Sequence, residues 1–180
     1  FDETSNEDFH FLDSGLSYDG TATTSLSGLD HLEGQTVQII ADGATHADKT
    51  VSSGAVTLDR SSKKVKVGLG YNSILQTMRI EGGSAEGTGQ GKVKRISKVV
   101  LRLFNTVGVK CGPSLTNLET VPFRTTSSDL DTPVSTLLAG DKTVEFTDDY
   151  NSDGFIFVKQ DQPLPLSILA IYPTFVISDG

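Results

Sequence analysis

An all-β fold, arranged as two small antiparallel barrel- or sandwich-like lobes with little helix, is what this 180-residue sequence predicts. Three observations predict it. Turn residues recur densely at Gly15, Gly20, Gly28, Gly34, Asp42-Gly43 and Ser53-Gly54, with short β-rich runs between them. Two stretches alternate with a period of two, Lys64–Leu69 and the run from Lys98 to Phe104. No segment reads as a helix longer than a turn or two, and there is no heptad or fixed repeat. Asp30–Glu33 and Val134–Leu138 are the best candidates for helical turns.

Residues 1–14 are acidic, with Phe9, Phe11 and Leu12 as their anchors, and read as a lead-in from a preceding domain. Phe1 in place of an initiator Met, with no signal pattern after it, predicts a piece of a longer protein. A first lobe spans 15–70. In it Val37–Ile40 is a strand ended by the Asp42-Gly43 turn, and Val56–Leu58 is another. Lys64–Leu69 points Val65, Val67 and Leu69 inward and its lysines outward.

A second lobe spans 71–180. Ser73–Glu81 reads as a strand leading into the glycine-rich stretch Gly82–Gly91. Lys92–Asn105 follows, with Val99, Leu101 and Leu103 on one face and Lys98, Arg102 and Phe104 on the other. A polar connection, Gly112–Gly140, precedes three more strands: Thr143–Phe146, Phe155–Lys159 and Ser167–Ile177.

Composition excludes several classes. Hydrophobic residues make up 36% and charged residues 21%, which fits neither a disordered chain nor a membrane protein. The longest apolar run, Leu164–Ile177, is broken by Pro165, Ser167, Pro173 and Thr174 and falls short of the ~20 residues a helical span needs. Cys111 is the only cysteine, so no internal disulfide and no cysteine zinc knuckle can form. The net charge of −8 is unevenly distributed. Residues 1–59 carry eleven acidic side chains against Lys49, and 60–110 carry eleven basic ones against Glu81 and Glu86. Residues 111–180 carry ten acidic against Arg124, Lys142 and Lys159. Two readings stay open: the basic segment meets acidic surface on another copy, or it lies beside acidic strands of its own molecule.

No motif points to catalysis. There is no G-x-S-x-G elbow and no H-E-x-x-H, and His10, His31 and His46 read as turn or surface residues. No catalytic residue and no cofactor is expected, and the chain reads as a non-enzyme. Glu81–Gly91 lacks the Lys-Ser/Thr of a phosphate loop and reads as a hairpin or interface loop. Asp149-Tyr-Asn-Ser-Asp-Gly154 matches the opening of a calcium loop, making Asp149, Asn151 and Asp153 candidate ligands. Its twelfth position is Gln160 where a bidentate Glu is needed, and strands flank it, so an ordinary turn is the competing reading. Lys92, Lys94, Arg95, Lys98, Arg102 and Lys110 form a basic stretch without interleaved stacking aromatics. A charged seam against an acidic protein surface explains it better than a grip on nucleic acid.

Four runs together are distinctive: GLSYDGTATTSLSGLDHLEG (15–34), VQIIADG (37–43), GQGKVKRI (89–96) and QDQPLPLSILAI (160–171). They resemble the C-terminal region of a family of tailed-phage virion tail proteins, described as stabilisation, hub or nozzle-like proteins, over most of residues 12–177. The resemblance implies an architectural role: a ring of copies around a tail channel, contacts with other tail proteins, and passage of DNA without sequence-specific binding. It implies location in the virion after synthesis in the host cytoplasm, and carries no catalytic residue. The alternative is a β-sandwich module binding a glycan or host surface, with calcium assistance, through a concave tyrosine-lined site.

Overall fold

The computed structural model describes residues 9–82, 88–123, 137–146 and 149–178. Among them the chain is almost entirely β: eleven strands and one 3-10 turn, Asp30–Leu32. That turn is the first of the two expected. Of the second, residues 134–136 lie outside the described residues, and Leu138 opens a strand instead. Two compact units form. The first is Phe1–Asn72 with Phe123–Leu137 and Asp161–Pro165, and the second is Ser73–Pro122, Leu138–Gln160 and Leu166–Gly180.

In the first unit, β1 (Asp13–Ser27), β2 (Thr36–Ala41), β3 (Ala44–Thr50) and β4 (Ala55–Leu69) form one antiparallel sheet, ordered β1-β4-β2-β3. The β2–β3 hairpin turns at Asp42 and Gly43, with φ of 51° and 77°. Positive φ at both central residues suits the twist of the flanking strands, which is why Asp-Gly works here.

The segments expected as separate strands around Val56–Leu58 and Lys64–Leu69 are two ends of β4, a single strand of 15 residues. The polar middle, Asp59–Lys63, bridges them because Asp42 Oδ1 accepts hydrogen bonds from the N–H groups of Lys63 and Lys64 at 3.0 and 2.9 Å. Register with β1 shifts in the same region. The inward phase therefore changes from Val56, Leu58 and Ser62 to Val65 and Val67, all buried. β1, read from sequence only as turn punctuation, is a long mostly exposed strand held along β4.

One cluster, including Leu26, Leu29, Val37, Ile39, Val56, Val65 and Val67, forms this unit's core. Ile40, on the opposite face of β2, is 2% exposed. Phe9 and Leu12 are also buried, and Lys66 Nζ donates to Phe9 O. The described end of the acidic lead-in thus packs as part of the first unit.

The second unit contains two sheets. β5 (Ser73–Gln76), β7 (Lys110–Ser114), β8 (Asn117–Thr120) and β10 (Phe157–Gln160) order as β5-β10-β7-β8. β6 (Val93–Thr106), β9 (Leu138–Glu145) and β11 (Ile168–Ser178) order as β11-β6-β9. The strand expected over Ser73–Glu81 ends at Gln76. The expected polar connection Gly112–Gly140 contains the β7–β8 hairpin in its first part. Gly112 makes that hairpin possible, since a Cβ there would lie 1.9 Å from the Asn117 carbonyl oxygen. Residues 124–136 of the connection and 83–87 of the glycine-rich stretch lie outside the described residues.

Two buried polar side chains in this unit find partners. Thr106 Oγ1 donates to Phe104 O and accepts from Ser167 N at 2.9 Å, pinning the start of β11 to the end of β6. Gln160 Nε2 donates to Val107 O and Gly108 O at 3.2 and 2.6 Å.

Candidate functional site

Two surfaces of the second unit have the character of contact sites. The first is the outer face of the β11-β6-β9 sheet. Val99, Leu101 and Leu103 of β6 point into the core, as their alternation predicts, and Phe104 points out at 51% exposure. Beside them β11 is an edge strand of mostly apolar residues, none of which is buried. Leu169, Tyr172 and Val176 are 64%, 46% and 56% exposed. An edge strand of this kind attracts other chains unless it is blunted. Pro173, which has no N–H to donate, sits in the middle of β11 and weakens pairing along that edge. The apolar face remains available.

The expected basic seam changes character in three dimensions. Lys94 is 1% exposed and its Nζ has no hydrogen-bond partner, so it presents no charge to a neighbouring molecule. The cause is a bulge: Thr174 pairs with Lys98 and Phe175 with Ile96, leaving Ser97 unpaired on β6. Upstream of it the inward set is Lys94 and Ile96, where strict alternation from Val99 turns Lys94 outward.

Arg102 makes two hydrogen bonds to Asp141 of β9, at 2.8 and 2.9 Å, and its guanidinium lies 5.2 Å from the Tyr172 ring centroid. Asp141 holds the Arg102 pKa above its ordinary value, and Arg102 holds the Asp141 carboxyl below its own. Lys98 stands opposite Glu145 in the register. Arg95 is exposed, while Lys92 and Lys110 are half-buried. Of the β6 cations, Arg102 is thus met by an acidic residue of its own sheet, and Lys98 faces Glu145 across the ladder.

The second surface is an open groove of about 360 Å³ lined by Pro113, Asn117, Asn151, Asp153, Phe155 and Phe157. It falls on the motif Asp149–Gly154. Asn151 Oδ1 accepts from the N–H groups of Asp153 and Gly154 at 3.0 and 2.7 Å, the pattern of an Asx turn. Asp153 Oδ1 pairs with Arg79 at 2.8 Å. Asp149 Oδ1 accepts from Tyr150 N. Gln160, at the twelfth position, is turned into the core. Asn151 Oδ1 thus serves an Asx turn, Asp153 Oδ1 an ion pair, and Gln160 does not stand as a twelfth ligand beside them. Among the described residues no three His, Cys, Asp or Glu side chains gather as a metal site. Phe155 and Phe157 are the aromatic residues that line the groove; Tyr150 is 48% exposed and does not line it.

The remaining candidate groups are placed as follows. His46 accepts from Asp59 N at 2.9 Å, and His31 contacts Ser14 O at 2.8 Å. His10 Nδ1 lies 3.2 Å from Ser17 Oγ on the exposed surface. Cys111 is fully buried, and burial pushes its pKa up to about 12, which suppresses thiolate chemistry. No helix among the described residues is long and apolar enough to cross a membrane. No protein-family model matches the chain, and no curated protein matches it.

Proposed function

We propose that the chain is a structural module of a tailed-phage tail, a hub-, nozzle- or tube-type subunit that makes contacts with copies of itself and with other tail proteins around the DNA channel. The observation that carries this reading is β11, an eleven-residue apolar edge strand with no buried residue, flanked by exposed Phe104. A monomer in isolation gains nothing from leaving Leu169, Tyr172 and Val176 in water, whereas a subunit covers them on assembly. The four sequence runs that resemble the tail family support the same reading.

Contacts of the module are then mainly apolar, because Arg102 is neutralised by Asp141 within its own sheet. The net charge of −8 keeps passing DNA from adhering. A reconstruction of the assembled particle tests the reading. The expected result is a closed ring in which the β11 face is covered, with more than about 1,000 Å² buried per interface. A lone peripheral domain with β11 open to solvent overturns it.

A further inference from the structure

We propose that the groove between the β7–β8 hairpin and the Asn151–Phe157 segment is a binding subsite for a neutral carbohydrate. Its floor is aromatic: Phe155 and Phe157 stand edge to face, with centroids 6.2 Å apart and ring planes at 75°. A ring face carries negative π density and accepts the weakly positive C–H face of a pyranose. Around this floor stand groups that suit hydroxyls. The side chain of Asn117 is exposed and both donates and accepts, the pairing that adjacent sugar hydroxyls require. Asp153 adds a carboxylate acceptor through the oxygen that does not meet Arg79.

Charge selects the ligand class. The carboxylate of Asp153 is paired with Arg79, and the Arg79 guanidinium also lies over Phe155 at 5.8 Å from its centroid. The site therefore offers an ionic ligand no uncompensated charge, and a neutral polyol loses nothing by entering. The volume of about 360 Å³ lies at the lower end of small-ligand sites, with room for about one or two sugar rings.

The groove is also formed in advance. The Asx turn fixes Asp153 and Gly154, and two backbone hydrogen bonds of 2.7 and 2.8 Å tie Asn151 to Lys94 of β6. Binding consequently orders little that is not already ordered. This inference is independent of the assembly reading and stands or falls without it.

The test is protein-observed NMR on the full chain with glucose, galactose, mannose, N-acetylglucosamine and their disaccharides as probes. Saturable shifts at Asn117, Asn151, Asp153, Phe155 and Phe157 are expected with at least one sugar, at a Kd on the order of 1 mM. Asn117→Ala, which removes an exposed side chain with no structural hydrogen bond, is expected to weaken that binding about tenfold while leaving the spectrum otherwise folded. Phe157→Ala is expected to abolish it. No saturable shift with any of the sugars, shifts confined to residues outside the groove, or undiminished affinity in Asn117→Ala each overturn the proposal.

Discussion

The two units are made of the same β material yet treat their apolar residues in opposite ways. Tyr71 is the one exposed large hydrophobic residue of the first unit, while Ile74, Leu75, Met78, Phe104, Leu115, Tyr150, Leu169, Tyr172 and Val176 all belong to the second, among the described residues. β2 of the first unit is buried on both faces, with Ile39 1% and Ile40 2% exposed, whereas β11 of the second has no buried residue. The contrast teaches that residue type alone does not say whether a strand is core or contact surface. The number of layers laid over it decides. The first unit buries its central strand on both faces, whereas the second leaves apolar side chains of its edge strand in solvent.

Core truncation separates the two units most strongly. Ile39→Ala in the first unit is expected to cost about 2–5 kcal/mol, by lost transfer free energy and the cavity left behind. Val176→Ala in the second is expected to stay within about 0.5 kcal/mol. Urea unfolding of the two variants checks this, and equal losses would mean that β11 is not a free surface. Next in size, Leu169→Asp combined with Val176→Asp is expected to leave the fold intact and abolish self-association. Light scattering coupled to size exclusion reads the mass directly, and an unchanged mass removes β11 from the assembly interface.

Acid acts on a turn in each unit. Backbone hydrogen bonds from Gly54 and Ser53 hold the Glu33 carboxyl below its ordinary value, and Gly89 and Thr88 do the same to Glu81 in the second unit. A depressed native pKa contributes stability that is fully present above the unfolded value of about 4.3 and disappears as pH falls through the lowered native one. Thermal melts are therefore expected to be flat near neutrality and to fall below about pH 4.3. Glu33→Gln is expected to flatten that fall; an unchanged acid profile would show that the carboxylate does not hold the Ser53-Gly54 turn. The smallest signal is expected at Cys111. With its pKa pushed up to about 12, the thiolate fraction at pH 8 is on the order of 10⁻⁴, so alkylation of the folded chain should be negligible until urea exposes the thiol. Rapid labelling without denaturant would contradict the burial.

Short-range features were legible from residue types. The Asp42-Gly43 hairpin followed from turn chemistry, and the inward set Val99, Leu101 and Leu103 followed from a period of two. The groove was half legible. Asp149–Gly154 stood out as a motif, but the oxygens that suggested calcium serve an Asx turn and an ion pair, and Phe155 and Phe157 read only as strand residues. No local signal brings Pro113 and Asn117 beside them, because that pairing depends on β7 and β10 meeting across the sheet.

By itself the sequence determined the all-β class, the principal turns and the phase of each short alternating run, since all of these depend on neighbours within a few residues. Only the tertiary structure decided that β4 continues through Asp59–Lys63, that β1 is a strand at all, and that Lys94 points inward. Each depends on a distant partner: Asp42 holding the middle of β4, β4 supplying the ladder for β1, and β11 forcing a bulge at Ser97. A single unpaired residue reverses which face every preceding side chain occupies, and nothing local to Lys94 records that the reversal occurs.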